Sequence, residues 1–231
     1  MIPKNTYQTK IKANQLTLNY IEAWFKDFKN IIFNVNISFE NIKRMKSPKD
    51  EFELTILNQG FFDHYYYLSI FSIIVQLCKI FSSSKNQRRS LNKLFKLVKE
   101  NEFDSELNEL LNRNKSKNGL FTTRQNIFDE IDLLADDIES HRDIITKVNI
   151  ARDQYYTHSD PFPDIPTLTF SELELLIKLS IKIYNSLSGK ILNETFMFGM
   201  VTDWNIDYPI RILALHEKTR VDKINKKLSL L

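Results

Sequence analysis

The chain has 231 residues, 42% of them hydrophobic and 26% charged, the balance of an ordinary globular protein able to bury a sizeable core. A formal charge of +3 permits a nucleic-acid partner without demanding one, because what matters is where the positive charge gathers. One cysteine excludes an internal disulfide framework and any multi-cysteine zinc site, and 4 glycines with 6 prolines argue for long helices over many short strands and turns.

The N-terminus, Met1 to Asn5, is polar and has no apolar run of the kind a secretory signal carries, so a cytoplasmic protein is expected. From Leu16 to Met45, apolar residues at Leu18, Ile21, Trp24, Phe25, Phe28, Ile31 and Ile32 predict a first helix, either continuous or broken near Asn34–Asn36. Pro48 and Lys49 punctuate it. Phe52 to Phe81 predicts a second long helix with Gly60 as its weak point, and its second half is apolar nearly all round, as in a central bundle helix. Tyr65 to Phe81 is the best membrane candidate, but it falls short of the roughly 18 apolar residues a span needs and carries Gln76 and Lys79. A buried core helix, with no membrane partner, is therefore expected, and Cys78 within it reads as a small buried hydrophobe.

Ser82 to Ser84 marks a turn. Lys85 to Lys99 then carries Lys85, Arg88, Arg89, Lys93, Lys96 and Lys99 without an acidic residue, alongside an apolar stripe at Leu91, Leu94, Phe95 and Val98. Asn112 to Asn118 is polar and basic and reads as a loop. Thr122 with Gln125 has the capping-box spacing, and Ile127, Phe128, Ile131, Leu134, Ala135 and Ile138 follow on one face. The pattern runs on through Ile144, Ile145, Val148, Ala151 and Tyr155, with Ser140 to Asp143 marking either a kink or a new start. Pro161, Pro163 and Pro166 require this helix to end close to His158.

Thr169 with Glu172 opens a further helix, faced by Phe170, Leu173, Leu176, Ile177, Ile181, Tyr184 and Leu187, with Gly189 placed to end it. Ile210 to Leu215 reads as a short helix or a strand, and the basic tail from His216 as frayed. The class is all-α. The expected architecture is an antiparallel bundle of four to five long helices over 1–190, with a core at 52–189 and the helix of 14–45 packed on it, followed by an extension at 191–231.

Chemistry concentrates in Ala151 to Asp160, ARDQYYTHSD: a guanidinium at Arg152, a polar neighbour at Asp153, and an imidazole at His158 with five residues between Arg and His. This segment resembles the signature of the HEPN superfamily, in which an Arg followed by a polar residue is separated by four to six residues from a His at a helix end. The continuation His158-Ser159-Asp160 is similar to that of AbiU-type HEPN proteins, associated with abortive phage infection. The resemblance covers about Phe52 to Gly189.

It implies a homodimeric toxin or defence ribonuclease acting on RNA with no metal and no cofactor. Arg152 and His158 would be catalytic, with Asp153 orienting Arg152 or the opposite His158. RNA contacts would fall to Tyr156, Ser159 and Asp160, and to Arg88, Arg89 and Lys93 if the basic stretch borders the cleft. Tyr155 shares the Val148 and Ala151 face and is expected in the core. HEPN toxins silenced by a nucleotidyltransferase carry a modified Tyr two residues beyond the His. Here that position is Asp160, so such modification is not expected, while an antitoxin or nucleotidyltransferase partner stays open.

The residue types suit this chemistry. Metal-free RNA cleavage needs a proton taken from the ribose 2′-OH, charge stabilised at phosphorus and a proton given to the leaving 5′-oxygen. Imidazole, with an ordinary pKa of about 6.5, moves protons near neutral pH. Guanidinium stays charged and fits two phosphate oxygens. A helix C-terminus and Asp160 would both favour the imidazolium of His158. Six positions turn a helix by about 240°, so Arg152 and His158 do not share a face. Either the helix unwinds before His158, or the site draws on two chains.

Without the resemblance, Arg152 is a solvated cation and His158 a helix-end cap. Two further readings remain: a non-catalytic HEPN adaptor that binds a protein, nucleotide or RNA, and a helical nucleic-acid binder using its basic stretches alone. His64 and His141 stand at no metal-ligand spacing, and neither a HExxH nor a nucleotide-binding glycine loop is present.

Overall fold

The computed structural model describes residues 15–84, 87, 89–118, 123–153, 167–200 and 205–229, with the backbone alone at 114–118 and 200. Nine α-helices stand among these residues: α1 Leu18–Met45, α2 Glu51–Leu57, α3 Gly60–Phe81, α4 Leu91–Glu100, α5 Ser105–Asn118, α6 Arg124–Ser140, α7 Arg142–Ala151, α8 Phe170–Leu192 and α9 Asp207–Leu228. The strand content described is one short parallel pair, β1 Gln15–Leu16 beside β2 Glu102–Phe103. The protein is all-α, as its apolar spacing predicts.

Several boundaries differ from the sequence reading, each for a local reason. The first helix is continuous through Asn34–Asn36. The second is two helices: α2 starts on Asp50, whose side chain accepts from the Glu53 N–H, and stops at Asn58. Restarting at Gly60 turns Phe62 into a small cluster with Met45 and Ile210. Asn112 to Asn118 is helical, not a loop, because α5 begins with Asp104 accepting from Leu107 N–H at 2.9 Å and is anchored by buried Leu107 and Leu111. A capped and packed first turn lets a polar sequence propagate as helix.

The capping box of α6 sits one residue later than expected. Thr123 accepts from Asn126 N–H while the Asn126 side chain accepts from Thr123 N–H. His141 ends α6 and begins α7, so the signal at Ser140 to Asp143 is a break. The capping box of Thr169 and Glu172 forms as predicted, but α8 runs past Gly189 to Leu192. Asn193 supplies the left-handed stop at φ 57°, with the Glu194 N–H reaching back to Ser188 O at 3.3 Å. The C-terminal segment is a helix to Leu228 and not a frayed tail, because Ile210 and Ala214, four apart, are buried and α9 packs on α2.

The chain divides into two compact units. The first draws on 1–32 and 76–197. Its core joins Trp24, Phe25 and Phe28 of α1 to Tyr184 of α8, with Phe25 and Tyr184 edge to face at 5.7 Å between ring centres. Leu77 and Ile80 of α3, Leu94 and Val98 of α4, Ile131 and Leu134 of α6, and Leu176 and Ile183 of α8 are buried in the same unit. α6 packs along α8, and α7 touches both.

The second unit draws on 33–75 and 198–231. Here Arg44 Nη2 donates to Glu53 Oε2 at 2.7 Å, and Arg44 Nε donates to Asp207 Oδ1 at 2.5 Å. These bonds tie α1, α2 and α9 through one guanidinium. α3 is long and apolar enough to cross a membrane by length and composition. Its later turns are nonetheless packed against protein, with Ile73, Ile74, Leu77, Cys78 and Ile80 buried.

Candidate functional site

Regular α-helix ends at Ala151, and Arg152 and Asp153 continue as a wider π-type turn. Such widening is rare and is frequent at functional positions. Val148 and Ala151, each 2% exposed, fix this end of α7 in the core. The Cys78 thiol of α3 donates to Val148 O at 3.4 Å. Burial pushes that thiol up to about 11, against the pull of the nearby Arg152 charge, so Cys78 is a neutral packing residue and not a nucleophile.

The side chain of Arg152 is about one-third exposed. Its Nε donates to Asp153 Oδ1 at 2.7 Å, and its Nη2 lies 2.6 Å from the same oxygen. The polar neighbour in the motif therefore grips the guanidinium. His158, Tyr155, Tyr156, Ser159 and Asp160 lie outside the described residues, as does Arg88.

Of the basic stretch, Arg89 is turned toward α1, where its Nε donates to Asp27 Oδ2 at 2.6 Å. Lys93 is half-buried on the first turn of α4 and borders a concavity of about 400 Å³ with Ser83, Asn92 and Lys96. The structure thus sends two neighbouring cations to different tasks: Arg89 is joined to α1, and Lys93 faces open space.

Ser83 and Asn92 also line a second concavity of about 410 Å³, whose other wall is α7: Arg142, Thr146 and Asn149. On α7 these residues recur at helical spacing on the side away from buried Val148 and Ala151. The two concavities share Ser83 and Asn92 and so adjoin, one reaching Lys93 on α4 and the other Asn149 on α7. Sequence reading passed over Asn92, Thr146 and Asn149. The polar repeat at 142, 146, 149 and 153 was the available signal, and it is visible only once α7 is known to begin at Arg142.

Among the described residues no group of three or more His, Cys, Asp or Glu stands close enough to hold a metal ion. Comparison with known proteins adds one finding. The family model HEPN_AbiU2, described as AbiU2, matches residues 19–208, most of the chain. No curated protein and no solved structure matches it.

Proposed function

Because the chain belongs to the AbiU2 family of HEPN proteins and is an abortive-infection-type HEPN module, we propose that it is a metal-independent endoribonuclease of phage-defence type. The observation that carries this reading is the placement of Arg152: partly exposed, at the widened end of α7, and held by the carboxylate of Asp153. A guanidinium restrained in this way loses little freedom when it meets a phosphate.

In the proposed reaction His158 takes the proton from the ribose 2′-OH, or returns one to the leaving 5′-oxygen. Arg152 stabilises the negative charge that develops on the phosphorus centre. The phosphodiester is exchanged for a 2′,3′-cyclic phosphate and a free 5′-hydroxyl, and no redox partner or metal enters the balance. The family resemblance implies a composite site in a homodimer, one motif facing the other across a shared cleft. Asp153 is a positioning residue in this scheme. Tyr156, Ser159 and Asp160 are its RNA contacts on the motif itself, and the cytoplasm is where its substrate is found.

Incubating total RNA with the full chain in EDTA tests the reading. The expected result is fragments ending in cyclic phosphate, absent when His158→Ala replaces the wild type. Intact RNA with the wild type, or equal cleavage by the variant, would replace the enzyme with a non-catalytic HEPN adaptor.

A further inference from the structure

The groove between α4 and α7 has the chemistry of a nucleotide subsite. We propose that it binds one unpaired nucleotide of the RNA adjacent to the scissile phosphate, with the amides of Asn92 and Asn149 reading the edge of its base; the identity of the ligand rests on the ribonuclease reading.

Four observations converge. A volume of about 410 Å³ suits a ligand of nucleotide size. The Asn92 and Asn149 amides, each a donor and acceptor pair of the kind that matches a base edge, both line the groove, Asn92 exposed and Asn149 half-buried, and neither bonds to another described side chain. Half-buried Ala135, Ile138 and Ile145 give it an apolar wall against which a base can pack. Lys93 borders the adjoining concavity, where a neighbouring phosphate would be attracted.

The acidic groups that border the groove are each matched by a cation. Glu139 accepts from Arg142 Nη1 at 2.7 Å, and Glu100 stands 3.8 Å from Lys96. Thr146 donates its hydroxyl to Arg142 O at 2.9 Å, which leaves its oxygen able to accept. Asn149 precedes Arg152 by about 4.5 Å along the helix axis, so a base against Asn149 and a phosphate against Arg152 can belong to adjoining nucleotides. The groove gives the motif what a bare Arg and His lack, a means of preferring one base beside the cut.

Two readouts on the full chain decide this. Binding is measured by fluorescence anisotropy with labelled 12-nucleotide single-stranded RNAs of varied base content, using His158→Ala to prevent cleavage. In that background Asn149→Ala and Asn92→Ala should each weaken the best-bound RNA about tenfold and flatten the ranking among bases. Lys93→Ala should weaken all of the RNAs alike and reduce the dependence on salt. Circular dichroism melting checks that the variants fold as the parent does, and Asn149→Gln serves as a second variant that keeps the amide.

Cleavage-site mapping with the His158-intact forms supplies the second readout. If both alanine variants keep the parental base ranking, or if the parent ranks no base above another, the subsite is overturned even when cleavage is robust. If the wild type cuts no RNA yet the asparagine variants lose base preference, the ribonuclease reading falls and with it the place of the subsite beside a cut, while the base-selective site for an unpaired nucleotide stands.

Discussion

Lys147 Nζ donates to Glu172 Oε1 at 2.6 Å, joining α7 to the first turn of α8. Glu172 is already the reciprocal half of the α8 capping box, accepting from Thr169 N–H at 2.8 Å. The two helices that flank the motif are therefore tied through a single carboxylate.

That carboxylate makes a pH prediction. The Lys147 ammonium and the Thr169 N–H hold Glu172 well below its ordinary 4.5, at about 2. A carboxyl group depressed in the folded state stabilises fully above its unfolded value and loses that contribution as pH falls toward the folded one. Wild-type thermal stability should thus decline between about pH 4.5 and 2, and Glu172→Gln should flatten that part of the profile while melting lower at pH 7. Equal melting temperatures at pH 7 would show that the tie is dispensable.

Asp153→Ala should leave the fold intact, since the carboxylate is about half exposed, while releasing the guanidinium of Arg152. If the proposed ribonuclease activity holds, cleavage should fall by roughly 10- to 100-fold through kcat with KM nearly unchanged, because Arg152 would lose its aim as the charge stabiliser. Asp153→Asn, which keeps an acceptor oxygen, should restore part of the rate. A loss confined to KM would make Asp153 a substrate-binding group instead.

Arg44 predicts a stability effect far from the motif. Its side chain is 13% exposed and meets Glu53, itself 4% exposed. Arg44→Ala would leave the Glu53 and Asp207 carboxylates without their guanidinium, and should destabilise by about 3 kcal/mol. Urea unfolding followed by circular dichroism would measure it. Arg44→Ala with Glu53→Ala together should cost less than the sum of the two single changes.

Gly189 predicts a gain. It lies within α8, and a methyl group there would meet Thr195 Cγ2 at 3.7 Å and Glu194 O at 3.9 Å, ordinary contact distances. Gly189→Ala should therefore stabilise by about 0.5–1 kcal/mol through helix propensity. A melting temperature below the parent's would show that the added methyl is not accommodated.

The sequence by itself determined the all-α class, the registers of α1, α4, α6 and α8, the Thr169–Glu172 cap and the motif around Arg152. These are local properties: apolar residues every three or four positions bury one helix face wherever that helix comes to lie, and a cap acts within a single turn. Tertiary structure decided where helices break and what the polar residues meet. Nothing local distinguishes Gly189 from a terminator; its role as helix interior depends on Asn193 taking the left-handed conformation four residues later. Arg89 and Lys93 look alike in the chain, and the carboxylate of Asp27, 62 residues before Arg89, separates their roles. The groove of Asn92 and Asn149 joins residues 57 apart on different helices, and only packing of the shared core brings side chains so distant in sequence to one surface.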